Sequence, residues 1–150
     1  MKRLTPFIIS TFAAFVISLA GALTSFAQKS DFNGNLVNEE LGVNLHLNLD
    51  EESIIIPGMS FLGPTNGYLD GKTNNHVYGV WMLINFKVEG NKAKLRFSND
   101  IGSDSQDITL TQLDENTFEY VATGGNAIRK VQGGNKLVKI ASSMTLHRVQ

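Results

Sequence analysis

Apolar and polar residues alternate along most of this chain with a period of two, the spacing that places successive side chains on opposite faces of a strand. Val43, Leu45, Leu47 and Leu49 alternate with Asn44, His46 and Asn48, predicting a half-buried strand after a shorter one that ends at Leu36-Val37. Ser53 to Ile56 reads as a short β-branched strand stopped by the turn signal Pro57-Gly58. Gly63-Pro64 and Asn66-Gly67 break continuity between Phe61-Leu62 and Tyr68-Leu69. The clearest run is His76 to Val88, where Tyr78, Val80, Met82, Ile84, Phe86 and Val88 read as one face. Val77, Trp81 and Leu83 open the other face, so the first half of this strand needs cover on both sides. Glu89-Gly90-Asn91 is a hairpin signal, and the chain returns through Ala93, Leu95 and Phe97. Ile108 and Leu110, then Phe118 and Tyr120, lie on either side of the turn Asp114-Glu115-Asn116. Gly124-Gly125-Asn126 and Gly133-Gly134-Asn135 punctuate the rest, leaving Val138, Ile140, Met144 and Leu146 as a closing strand.

No stretch in this part of the chain sustains the helical spacing, so the fold class is all-β, with about eight or nine strands. Short strands joined by tight turns predict an antiparallel meander β-barrel, with a β-sandwich as the alternative.

The first 27 residues follow a different pattern. Met1-Lys2-Arg3 is basic, Phe7 to Ala22 is largely apolar, and Ser25-Phe26-Ala27 supplies small residues where a signal peptidase cuts. This reads as a helical signal peptide, residues 1–27, followed by a single barrel domain over 28–150. A membrane anchor is the competing reading, but the apolar run is shorter than the roughly 20 residues that span a bilayer. Polar Gln28, Lys29, Ser30 and Asp31 follow at once. The expectation is an exported protein, periplasmic or extracellular after cleavage near Ala27, with no membrane anchor once the leader is removed. The chain has no cysteine, so neither a lipid-bearing thiol nor a disulfide holds the exported domain.

Charge narrows the partners. Without Lys2 and Arg3 the domain carries 11 basic and 14 acidic residues, net −3, against the basic excess that nucleic acid requires. The charges are also segregated. From Gln28 to Asp70 there are seven acids and one base, whereas Thr123 to Gln150 has five bases and no acid. In a closed barrel the first and last strands lie side by side, where opposite charges attract. Ordinary solvated faces of both signs explain the same pattern, and so does a basic tail that meets an anionic surface.

Catalytic chemistry has little footing. There is no G-x-S-x-G elbow, and His46, His76 and His147 lie at least 30 residues apart without metal-ligand spacing. His46 falls on the polar face of its strand and reads as a surface histidine. Ser98 to Asp107 is rich in oxygen donors that suit calcium, yet it lacks EF-hand spacing and reads as an Asx-turn connection. Carboxylates fall mostly in turns. No enzyme activity, metal or cofactor is therefore expected. Aromatic side chains are the remaining candidates for ligand binding, namely Tyr68, Tyr78, Trp81 and Phe86.

Phe32-Asn33-Gly34, Gly67-Tyr68-Leu69-Asp70-Gly71 leading into Tyr78-Gly79-Val80-Trp81, the hairpin Val88 to Ala93, Leu95 to Asp100 and Lys136 to Ile140 are similar to segments of small exported bacterial proteins. The chain resembles the lipocalin-like, or calycin-type, barrels among them, a group of uncharacterised function. Its first strand departs from the lipocalin G-x-W, reading Phe32-Asn33-Gly34-Asn35, and no functional residue is carried over. The resemblance implies a non-enzymatic domain that binds a small apolar or amphipathic ligand in its interior. The alternative is a packed interaction module that contacts a protein or glycan through an exposed face. The expected inward residues Tyr78, Met82, Ile84, Phe86, Leu95, Phe97, Phe118 and Tyr120 are bulky, which favours a packed interior.

Overall fold

The period-two segments pair into antiparallel ladders: β1 (Gly34–Asn38), β2 (Val43–Leu47), β3 (Gly67–Asp70), β4 (Trp81–Glu89), β5 (Lys92–Asn99), β6 (Ser105–Asp114), β7 (Thr117–Thr123), β8 (Arg129–Gln132), β9 (Lys136–Lys139) and β10 (Ser143–Val149). The computed structural model describes residues 31–71 and 77–150. The leader and His76 lie outside these. Eight strands close a barrel in the order β1-β10-β7-β6-β5-β4-β3-β2, and β8 with β9 forms a separate two-stranded ribbon. The fold is thus a barrel and not a sandwich. Closure comes from β1, which pairs with both β2 and β10, so the barrel itself has no open edge.

Register explains the filled interior. Leu36 stands opposite Leu45, Leu45 opposite Leu69, and Leu69 opposite Trp81, so one inward row crosses four strands. On the other wall Leu110 faces Tyr120, Tyr120 faces Met144, and Phe118 faces Leu146. Tyr120, Phe97 and Phe118 are the largest fully buried side chains, and they meet smaller Ala93, Leu95 and Ile108 in one core cluster. An eight-stranded barrel is just wide enough to be filled by such residues.

The expected face of the clearest strand is corrected. Trp81 and Leu83 point inward and are buried, whereas Tyr78 and Ile84 are exposed. A β-bulge between Leu83 and Asn85 is the cause: Leu83 pairs with Phe97 and Asn85 with Arg96, leaving Ile84 unopposed. One extra residue reverses the alternation, so Phe86 packs against the core opposite Leu95, while Val88, opposite Ala93, is exposed. The strand also starts later than expected, at Trp81, because Gly79 has φ of 76° and breaks the extended chain.

Two further expectations change. Ser53 to Ile56 is not a strand; only an isolated bridge joins Ile54 to Thr65. The single closing strand is divided, with Val138 in the ribbon, Ile140 between elements, and Met144 and Leu146 in β10.

Strand direction gives the barrel two distinct ends. One carries the β1–β2 turn, the β5–β6 loop and the ribbon; the other carries residues 48–66, the β4–β5 and β6–β7 turns, and Asp31 to Asn33. At the ribbon end Ile128, Ile140 and Val77 are buried in the core cluster. The Ile140 N–H donates to the Ile128 carbonyl at 3.1 Å, and the Tyr78 N–H to that of Arg129 at 2.7 Å, so the ribbon is tied across the barrel mouth.

Candidate functional site

The connection between β2 and β3, residues 48–66, is too apolar for an ordinary loop. Its backbone is held: the Asn48 N–H donates to the Asn66 carbonyl at 2.8 Å, and Ile54 and Thr65 exchange two backbone bonds of 3.0 and 2.8 Å. Asn48 also gives its Nδ2 to Ser53 Oγ and accepts the Glu51 N–H on Oδ1. Gly67 closes this strap where a Cβ would run into the His46 carbonyl and the Leu47 side chain, so only glycine fits.

This ordered strap nevertheless shows apolar side chains to solvent. Ile55 is 50%, Phe61 82% and Leu62 45% exposed, the last two on a 3-10 turn over Ser60–Leu62. Ile56 is fully buried and anchors the same segment. Glu51 and Glu52 are exposed on the same segment, and Glu52 lines a groove with Pro64, Thr65 and Asn66. This groove, of about 270 Å³, runs between Pro64–Asn66 of the strap and the Ile84–Phe86 bulge of β4. A hydrogen-bonded segment that exposes Ile55, Phe61 and Leu62 is the candidate surface.

The four aromatic candidates are dispersed. Trp81 is buried in the core at 5% exposure. Tyr68 lies on the outer face of β3, stacked on the His46 ring with centroids 4.3 Å apart and planes at 16°. Burial, and then the negative charge of Asp70, raise its phenol pKa above the ordinary range. Tyr78 is 58% exposed at the ribbon end. Phe86 is half-buried and lines a side groove of about 430 Å³ with Lys94, Arg96, Asp107 and Thr109. No described pocket collects all four.

His46 is less solvated than expected. Its Nε2 stands 3.4 Å from Asp70 Oδ1, near enough for an ion pair when the ring is protonated but without hydrogen-bond alignment. Asn35 lies opposite His46 and lines an outer groove of about 440 Å³ with Val37, Asn38, Asn44 and Val149. Among the described residues no three His, Cys, Asp or Glu side chains gather to hold a metal. In the Ser98 to Asp107 connection, Asn99 accepts the Asp104 N–H at 3.2 Å and donates to Ser103 Oγ at 2.9 Å, as an Asx-type turn does.

The chain matches no family model, no curated protein and no solved structure. The surfaces therefore stand on their own chemistry. Sequence reasoning passed over Phe61 and Leu62. Their signal was an apolar stretch, Ile54 to Leu62, broken by Pro57-Gly58 and closed by Gly63-Pro64, which can form neither a continuous strand nor a helix.

Proposed function

We propose that this chain is an exported, non-enzymatic interaction module whose barrel is a scaffold and whose strap, centred on Phe61, docks a partner protein. The observation that carries this reading is the inversion of burial. The interior is occupied by Phe97, Phe118 and Tyr120, while Phe61 is 82% exposed on a hydrogen-bonded segment. Large apolar side chains presented rigidly lose little entropy on binding and supply the anchors of interfaces. Export rests on the leader pattern, and the lipocalin-like likeness on the closed eight-stranded barrel.

A photo-reactive amino acid at position 61, with position 109 on β6 as control, tests the reading in cells that produce the protein. A defined protein adduct from position 61 alone is the expected result. Equal labelling from both positions, or none, would discard it.

A ligand inside the barrel is the second reading, and one observation favours it. The Tyr120 hydroxyl is buried without a hydrogen-bond partner among the described residues. Native mass spectrometry of the protein from its own producer checks this reading, since a retained small molecule would move the site indoors.

A further inference from the structure

We propose that the strap's partner is a second copy of this chain, whose β8–β9 ribbon receives it head to tail; this rests on reading the strap as a docking surface. Topology puts the two elements at opposite ends of the barrel, so neither can reach the other within one molecule. The early acids divide between the ends, with Glu39 and Glu40 in the β1–β2 turn at the ribbon end, but the two elements themselves are opposite in charge: the strap holds Asp50, Glu51 and Glu52 and no base, the ribbon four bases and no acid. Among the described residues, Arg148 alone of the five late bases meets an early acid, with Nη2 at 3.8 Å from Asp31 Oδ2. Arg129, Lys130, Lys136 and Lys139 all lie on the ribbon, and none is in an ion pair among the described residues.

The ribbon's register is costly without an external anion. Arg129 pairs directly with Lys139, a like-charge juxtaposition that weakens a two-stranded sheet. Val131 and Leu137 stand opposite each other two positions along, on the same face. Leu137 is 39% exposed and Tyr78, bonded to β8 through its backbone, is 58% exposed. The ribbon thus presents cations beside apolar surface. The strap carries the complement, with Glu51, Glu52, Ile55, Phe61 and Leu62 all exposed on one segment.

The outer edge of β9 adds specificity. Among the described residues β9 pairs with β8 alone, which leaves its other edge open along Lys136–Lys139. Lysines on such an edge repel basic strands, disfavour neutral ones because pairing would desolvate the ammonium groups, and admit an acidic segment. A contact between different patches on two copies does not satisfy itself on pairing, so it propagates into open chains unless a ring closes.

Sedimentation velocity across a concentration series tests the proposal. Weight-average mass should climb without a dimer plateau and fall in high salt. Lys136→Glu/Lys139→Glu and Glu51→Lys/Glu52→Lys should each weaken association by at least about tenfold. An equimolar mixture of the two variants should restore one-to-one association, because the unaltered acidic strap of one then meets the unaltered basic ribbon of the other. Wild-type protein that stays monomeric, or a mixture that does not recover, overturns the proposal. The cross-linker at position 61 separates the two claims. Adducts on the ribbon of a second copy support both, an adduct on a different protein overturns self-docking alone, and no adduct overturns both.

Discussion

The Arg148 guanidinium lies 5.2 Å over the centre of the Phe118 ring and closes the strap end of the barrel. Its Nη1 donates to the Glu115 carbonyl at 2.8 Å and its Nη2 to that of Asp31 at 2.6 Å, joining β10 to the β6–β7 turn and to the start of β1. Phe32, buried beneath, sits 6.1 Å from the same phenylalanine. Arginine suits this place because its planar fork reaches two carbonyls while its face covers a ring.

Replacing Arg148 with methionine keeps much of the packing and removes both donors. Urea denaturation should show a loss of about 1–2 kcal/mol, since two carbonyls of exposed residues lose charged partners and the Phe118 ring loses its cover. Lysine should recover less than half of this, because a single ammonium cannot make both bonds and cover the ring. Full recovery by lysine would show that charge alone matters.

Tyr120 gives a prediction of opposite sign. Burial holds its hydroxyl well above the ordinary phenol range, and no described group accepts its proton. Tyr120→Phe removes an unpaired polar atom from the core, so stability should stay level or rise by up to about 1 kcal/mol. A clear loss in thermal or urea unfolding would mean that the hydroxyl is partnered in solution, which would strengthen the interior-ligand reading.

Gly67 is fixed by contact and not by dihedral angle. A Cβ there meets the His46 carbonyl and the Leu47 side chain, both held by β2–β3 pairing. Gly67→Ala should cost on the order of 2–3 kcal/mol through displacement of that ladder. Hydrogen exchange should localise the loss to β2, β3 and the strap. Unchanged protection there would mean that the strands separate more easily than the pairing suggests.

Much of the fold was legible because local signals agreed with the ladder. Gly90, with φ of 60°, turns β4 into β5, and the alternation of Ala93, Leu95 and Phe97 survives as the inward row. The bulge at Ile84 was not legible, since an inserted residue leaves an apolar pattern intact while reversing which side it faces. Trp81 and Tyr78 were misplaced by that reversal and by the break at Gly79. The ribbon was hidden for a related reason: Val138 and Ile140 keep period two into the next segment, and only backbone pairing shows that the sheet has changed. Surface sites were least legible of all. Exposure of Phe61 depends on how the strap is folded back by Asn48 and Thr65, a matter of tertiary hydrogen bonds and not of spacing.

Arg96 and Asp107 supply a pH test on the barrel wall. Arg96 donates through Nε at 2.7 Å and Nη2 at 2.8 Å to the two carboxylate oxygens, across the β5–β6 pair. These bonds from Arg96 lower the Asp107 pKa below the usual aspartate value. A carboxylate whose pKa falls on folding stabilises the native state at pH above its unfolded value, near 4, and the contribution disappears as pH drops through the folded value. With side chains 54% and 41% exposed, solvent screens the pair and its contribution is small. Arg96→Met should therefore lower the urea midpoint at pH 7 by roughly 0.3 M or less, with the gap closing by about pH 2 and in molar salt. A gap that persists at low pH would assign the effect to packing of the arginine stem along the sheet, because protonated Asp107 no longer offers the charge on which the pair depends.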